Sequence, residues 1–476
     1  MSVRFKYTMI ILIATVLFIP ALQHKLDLFK TEPLEGGITI APEPEFNKAD
    51  YWSLKYQDEY NKYVNDNFGF RSWFVKLINQ VRFSFFRTTK APGVVIGKND
   101  ELFIESYINE FIGRNFVGRS KISRTAFQIK VLQDTLKQRG VDLITVFAPG
   151  KASYFQECIP NNYLRKMKDS TNYKCYASEF KKQNVNFIDL NKWFVDNKNN
   201  FKHPVYPKYG THWNHYGMCL GLDSLLKYIE SKQNINLPDF KYDMINYDSD
   251  LRGNDYDVGI LTNLMFPFEK DANPYPLYKI KDGEGYKKLD ALAIGDSYWS
   301  CLVKEDLPIR FFREDEYWFY NNDIYIRNGK IDKQVRRLNL SAALAKRNVI
   351  ILMATEATYY MFPYGFVEDA YKLYCEDHSK RYNEIIENMK RTTEWYDQVI
   401  KKAQENNIPL PLQMRQDAEY ILCEEILKPA EPVDVIIARI KKDPRWMEEI
   451  KKKAIGNNIS VEQQLFKDAE WASSQR

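Results

Sequence analysis

The chain has 476 residues, 45% hydrophobic and 28% charged, which is ordinary globular composition and enough for one large domain plus a smaller one. Its net charge of +5 comes from 68 basic and 63 acidic residues. Basic side chains so evenly matched by acids leave no nucleic-acid footprint. The six cysteines form no C-x-x-C, which argues against zinc-ribbon and thioredoxin readings.

The N-terminus reads "MSVRFKYTMIILIATVLFIPALQHK". Arg4 and Lys6 precede an uncharged run from Tyr7 to Gln23, the pattern of a positive n-region and an apolar h-region. The run is short for a membrane span, which takes about 20 apolar residues. No small-x-small cleavage site follows it. Residues 1–29 are therefore expected to be a signal anchor or a signal peptide, with the uncleaved anchor favoured. Either places the body on the extracytoplasmic, periplasmic side, and the anchor would hold it at the inner membrane. An exported chain can oxidise its thiols, and Cys158 and Cys175 are the closest pair in sequence.

Residues 30–48 carry Pro and Gly with little periodicity and read as a linker. From Tyr51 to Phe86 the spacing is helical, with Trp73, Leu77, Val81 and Phe85 recurring at four. Four short apolar runs then predict buried strands over 141–149, 185–190, 289–297 and 348–356, with helices such as 122–138 and 216–231 between them. Continuous apolar strands alternating with helices predict a parallel sheet covered on both faces. In such sheets ligands bind beyond the carboxyl ends of the strands, where Lys151, Ser297 and Glu356 fall.

From about residue 368 the chain becomes charged and helical and repeats at an offset of 51. Residues 394–420 align without gaps to 445–471. Trp395 matches Trp446, Asn406-Asn407-Ile408 matches Asn457-Asn458-Ile459, and Asp417-Ala418-Glu419 matches Asp468-Ala469-Glu470. Each copy reads as a helical hairpin, with Ser460 and Gln463 at capping-box spacing. A structural appendage is the plainer role for this module, and a docking role the alternative.

"LAIGDSYWS" (292–300) holds the best nucleophile candidate. A serine at a strand-to-turn junction exposes its hydroxyl at the carboxyl edge, where turn amides can face an oxyanion. "YGTHWNHYG" (209–217) holds two histidines. His212 can be a base, a metal ligand or packed core. The metal reading lacks a third ligand and an H-E-x-x-H pattern. As a base, His212 would take the proton of Ser297. His215 reads as a bystander on the first turn of the next helix. Asp296 is expected to brace its own turn.

"GVVIGKNDELFIES" (93–106), "FAPGKASYFQECIP" (147–160), "GTHWNHYG", "GDSYWS" and Thr355-Glu356 stand in the order found in the AlgJ/AlgX-like alginate O-acetylation proteins of the SGNH hydrolase-like superfamily. Residues 45–365 resemble that family in their ordered combination of motifs. The resemblance implies a three-layer α/β/α sandwich and a serine that carries an acetyl group to a polysaccharide hydroxyl. It implies Ser297 as nucleophile and His212 as base. No cofactor or metal is expected. It also implies a membrane-bound O-acyltransferase partner. The family writes its histidine motif Asp-x-His-Trp, but Gly210 stands at the aspartate's position. An orienting carboxylate must then come from elsewhere, with Asp255, Asp257 and Glu356 as candidates, or the site works as a dyad, or it no longer catalyses. Lys151, Thr211, Trp213 and Tyr298 are candidate substrate or oxyanion contacts, with core packing the plainer role for Trp213; Trp299 also offers an aromatic face. The expected domains are an SGNH hydrolase-like domain over 49–367 and a helical module over 368–476. Three activities stay open: acetyl transfer to a glycan, a carbohydrate acetylesterase of the same fold, and a degenerate glycan-binding scaffold.

Overall fold

The computed structural model describes all residues except 1–2, 37–38, 328, 428–430, 432, 458 and 475–476. Asn458 of the second repeat, Gly37 and Ile38 of the expected linker, and Met1 and Ser2 of the N-terminal segment thus lie outside the described residues.

In chain order the strands are β1 (Val94–Ile96), β2 (Leu102–Ile104), β3 (Asp142–Phe147), β4 (Phe187–Asp189), β5 (Asp239–Asp248), β6 (Asn273–Lys281), β7 (Leu289–Gly295), β8 (Phe312–Phe319), β9 (Asp323–Ile326), β10 (Gly329–Gln334) and β11 (Val349–Ala354). Seven form the central sheet in the order β10-β9-β8-β7-β11-β3-β4. The run from β8 to β4 is parallel, while β9 and β10 add antiparallel at one edge.

The four apolar runs are the parallel strands β3, β4, β7 and β11. In β3 and β11 every residue is buried, because helices cover both faces. Side-chain alternation divides the core. Ile144, Val146, Ala293 and Ile351 face helices Leu190–Asp196, His215–Gln233 and Ser297–Lys304. Leu143, Phe147, Ile294 and Leu352 face helices Arg119–Lys137, Asn172–Gln183 and Phe366–Tyr374. The result is a three-layer α/β/α sandwich. Two antiparallel pairs, β1 with β2 and β5 with β6, stand outside it.

The helical pattern of 51–86 forms three helices, Lys48–Trp52, Lys55–Asn67 and Arg71–Phe86, broken where Leu54 and Phe70 take left-handed backbone. The stripe Trp73, Leu77, Val81 and Phe85 is exposed rather than core. Helix Val3–Leu26 packs on this region through the Gly69 N–H, which donates to the Pro20 carbonyl. Among the described residues no helix is long and apolar enough to cross a membrane.

In the C-terminal module the similarity extends beyond a hairpin to three helices per copy. Helix Ser379–Arg391 precedes Thr393–Glu405 and Leu410–Leu427, and helix Val433–Lys442 precedes Pro444–Asn457 and Val461–Ser474. Buried Ile385, Met389, Val399 and Met414 of the first core correspond at the same offset to Ile436, Ile440, Ile450 and Leu465 of the second. The polar bonds repeat too. Asn406 Nδ2 donates to Gln413 Oε1 and Asn457 Nδ2 to Gln464 Oε1, each at 2.8 Å. Lys402 pairs with Asp417 as Lys453 does with Asp468. Ser460 and Gln463 make both bonds of a capping box. All six cysteines are free thiols.

Candidate active site

Ser297 is the first residue of helix Ser297–Lys304, directly after β7. Asp296 caps that helix. Its Oδ1 accepts from the Tyr298 N–H, and its Oδ2 accepts from the Thr355 N–H and from the Thr355 and Thr358 hydroxyls. Asp296 therefore ties the turn that carries Ser297 to the end of β11, the adjacent strand. The Trp299 N–H donates to the Asp296 carbonyl. Of the first three amides of the turn, that of Ser297 is the one Asp296 does not engage.

His212 reaches Ser297 from the loop before helix His215–Gln233. Its Nε2 lies 2.8 Å from Ser297 Oγ. Its Nδ1 lies 3.0 Å from Asp257 Oδ2. The other oxygen of Asp257 accepts from the Thr211 N–H at 2.8 Å. With Nδ1–H donated to Asp257, Nε2 is left to accept the Ser297 hydroxyl proton. Of the three candidate acids, Asp257 is the one brought to the imidazole.

Gly210 explains how. A Cβ there would lie 2.5 Å from the Asn254 carbonyl oxygen and 2.9 Å from that of Asp255. The segment carrying Asp257 occupies the space a side chain at 210 would need. The Tyr209 carbonyl accepts from the N–H groups of Val258 and Gly259, which fastens the two segments together. Gly210→Asp, which restores the family's motif letter, is therefore expected to lose activity. It should also destabilise the fold by about 1–3 kcal/mol through overpacking against backbone. Turnover and thermal unfolding of the variant check this; a gain in turnover would contradict it.

The remaining candidates have other places. Asp255 is buried, accepts from the Tyr275 hydroxyl at 2.6 Å and lies 3.9 Å from His215 Nδ1. His215, the first residue of its helix, bonds Glu305 at 3.1 Å through Nε2. Among the described residues no three His, Cys, Asp or Glu side chains are grouped to hold a metal. Thr211 contributes backbone only: its N–H to Asp257 and its carbonyl to the Tyr298 hydroxyl. Trp213 is core, lying where a Cβ on Gly221 would meet its ring at 2.4 Å. Tyr298 and Trp299 are buried as well, so neither offers a ring face to solvent.

Lys151 is not a solvent-facing contact. It is 1% exposed, and its ammonium donates to the carbonyls of Pro207, Lys208 and Gly210 at 2.6–3.0 Å. It pairs with buried Glu101 at 2.7 Å. Burial pulls the lysine below its usual pKa and pushes Glu101 up, each opposed by the other's charge. The pair fixes the turn that delivers His212. Glu101 escaped the sequence reading, since a lone acid before a short strand carries no signal of a buried partner. Asn254, whose amide lies 3.3 Å from His212 Nδ1, escaped it as well.

Glu356 follows β11 and is also buried, but it faces Ser153: it accepts from the Ala152 and Ser153 N–H groups and from the Ser153 hydroxyl. Burial pushes its carboxyl up to about 8, against the pull of those bonds. Burial likewise pushes Glu110 up to about 7. Both groups hold their protons more tightly folded than at the ordinary value of 4.5. Their contribution to stability is thus fully present below about pH 4.5 and lost as pH rises through about 8. Unfolding free energy is expected to fall between about pH 5 and pH 8.5, and Glu356→Gln to flatten that decline. Denaturant titrations across that range check it.

Residues 94–246 match the family model described as the SGNH hydrolase-like domain of the acetyltransferase AlgX. This segment is AlgX-like. The AlgX-like segment contains Lys151 and His212 and stops short of Asp257 and Ser297. Among solved structures the chain is similar to the O-acetyltransferase domain of Pseudomonas putida AlgJ, at 18% identity over 57% of this chain and 93% of that one, with a TM-score of 0.38. It is similar to Pseudomonas aeruginosa AlgX at 13% identity over 58% and 67%, with a TM-score of 0.37. Bacillus cereus PatB1 is similar at 13% identity over 52% and 93%, with a TM-score of 0.34. No curated protein matches the chain by sequence.

Proposed function

We propose that this protein is a serine-dependent O-acetyltransferase acting on a polysaccharide of the cell envelope or exterior. The observation that carries the reading is the hydrogen-bonded series Ser297–His212–Asp257, with both imidazole nitrogens engaged. The AlgX-like match supports acetyl as the group moved, and the motif resemblance supports a glycan acceptor.

Ser297 Oγ attacks the acetyl carbonyl of the donor as its proton passes to His212 Nε2. The Ser297 amide, at the start of its helix, is the donor we assign to the developing oxyanion. Collapse breaks the bond to the leaving group, which takes the proton from His212. The acetyl-serine ester is then attacked by a sugar hydroxyl, whose proton goes to His212 and on to the released Ser297 Oγ. Asp257 keeps the imidazole in one tautomer and stabilises its charged form throughout. This complete relay supports a working site over a degenerate scaffold.

The site is read as extracytoplasmic, with residues 1–29 tethering it at the inner membrane beside a membrane-bound O-acyltransferase that supplies acetyl. The exposed apolar side chains Ile10, Phe18, Trp73 and Phe85 are surface that such an attachment would cover. Incubation with an activated acetyl ester and an oligosaccharide, followed by product analysis, tests the reaction. Acetylated oligosaccharide is the expected product. Free acetate alone would identify an esterase instead.

A further inference from the structure

An ordinary surface helix buries its apolar stripe and turns its polar side chains to water. Helix Arg71–Phe86 does the reverse. Its polar side chains hold it to the body. Asn79 is buried and donates to the carbonyls of Thr262 and Asn263 at 3.0 and 3.3 Å. Gln80 Oε1 accepts from the Phe266 N–H at 3.0 Å, and Arg71 pairs with Asp66 at 2.9 Å. Phe83 adds an edge-on contact to Phe268.

The outward face is apolar along its length. Trp73, Leu77, Val81 and Phe85 form one exposed row, and Phe74 and Ile78 a second. Ser84 is the one polar side chain at an exposed position of this helix, and its hydroxyl already accepts from Gln80. Protein interfaces carry about one hydrogen bond per 100–200 Å². A face with so little to donate or accept suits hydrocarbon better than a protein partner. The helix has 16 residues, about 24 Å, too short to cross a hydrocarbon core of about 30 Å. Residues 71–90 also hold five cations, Arg71, Lys76, Arg82, Arg87 and Lys90, and no acid. Asp66, Glu32 and Asp100 pair with three of them, which leaves Arg82 and Lys90 for lipid phosphates. Basic side chains with Trp, Phe and Leu on the other face are the composition of a helix that lies in a bilayer surface. Helix Val3–Leu26, exposed at Ile10, Ile11 and Phe18, packs on Gly69, two residues before this helix begins. The two apolar surfaces therefore adjoin.

The inward bonds of Asn79 end on the residues that directly follow helix Asp257–Leu261. Asp257, which orients His212, begins that short helix.

We propose that helix Arg71–Phe86 lies on a phospholipid bilayer by its apolar face, a second membrane contact besides residues 1–29, and so seats the segment carrying Asp257 close to the bilayer surface. This seat rests on the membrane-side placement proposed above.

Trp73 supplies the probe. The full chain is mixed with vesicles of phosphatidylcholine and phosphatidylglycerol whose tails carry bromine, and its tryptophan fluorescence is compared with that on unbrominated vesicles. Bromine should quench a component of the emission that the Trp73→Phe protein lacks. Leu77→Glu/Val81→Glu, which puts charge into the exposed face, should lose the same quenching. It should keep the wild-type melting temperature and its turnover of a soluble acetyl ester, since both side chains are exposed and far from the triad in sequence. A chain that does not bind the vesicles would overturn the seat. So would quenching that Trp73→Phe or Leu77→Glu/Val81→Glu leaves unchanged. A chain that floats with the vesicles while Trp73 stays unquenched keeps the tether by residues 1–29 and loses the seat. Quenching of Trp73 in a chain that transfers no acetyl would overturn the proposed reaction and leave the seat standing.

Discussion

Asp257→Asn is expected to lower turnover by about 10⁴-fold while the protein stays folded, as loss of the orienting acid does in hydrolases built on the same relay. The reason lies in the two bonds Asp257 accepts, from the His212 ring and from the Thr211 amide. An asparagine can satisfy only one of them. If its oxygen faces Thr211, its NH₂ faces Nδ1, and the imidazole proton moves to Nε2. That proton then points at Ser297 Oγ, and the base can no longer accept. If its oxygen faces the imidazole, two donors confront each other at Thr211, and the loop that aims His212 is pushed away. Steady-state kinetics with an acetyl ester, paired with thermal unfolding, separates this from collapse. A variant within about tenfold of wild type would mean that His212 acts without Asp257.

Lys151→Met is expected to cost about 3–5 kcal/mol of stability, because it leaves Glu101 buried without its counter-charge. It also strips three carbonyls of the 207–210 turn of their donor. The accompanying Glu101→Gln should recover part of the loss, since the uncompensated charge is then gone while the carbonyls remain unpaired. Chemical denaturation of the single and double variants measures both. A Lys151→Met protein as stable as wild type would remove Lys151 from the scaffold of the site.

The parts of this site that depend on local pattern were legible in the sequence. The strands β3, β4, β7 and β11 show as unbroken apolar runs, and Ser297 shows because it ends one of them. His212 stands out beside Trp213. Asp257 could not be chosen over Asp255, two residues away, because the choice rests on tertiary contact. It depends on which carboxylate faces a loop 45 residues earlier in the chain, and on a glycine whose missing side chain makes room. Lys151 illustrates the opposite error. A lysine after a strand reads as solvated or substrate-facing, and nothing local shows the three carbonyls and the acid closing around it. The stripe from Trp73 to Phe85 has the same period whether it faces a core or solvent. Strands β8 and β9 escaped notice because "REDEYWFYNNDIYI" (313–326) mixes charged and aromatic residues, as suits strands near an edge with one wetter face. The first helix of each C-terminal repeat was hidden because its kinship rests on few buried positions, such as Ile385 with Ile436.

The most direct test of the central claim is to trap the covalent intermediate. The chain is incubated with an activated acetyl ester and no acceptor, quenched in acid, digested and mapped by mass spectrometry. One acetyl group should appear on the peptide carrying Ser297, vanish when an accepting oligosaccharide is added before the quench, and be absent from the Ser297→Ala protein. An unmodified Ser297 peptide, or an acetyl group equally present in Ser297→Ala, would contradict the account.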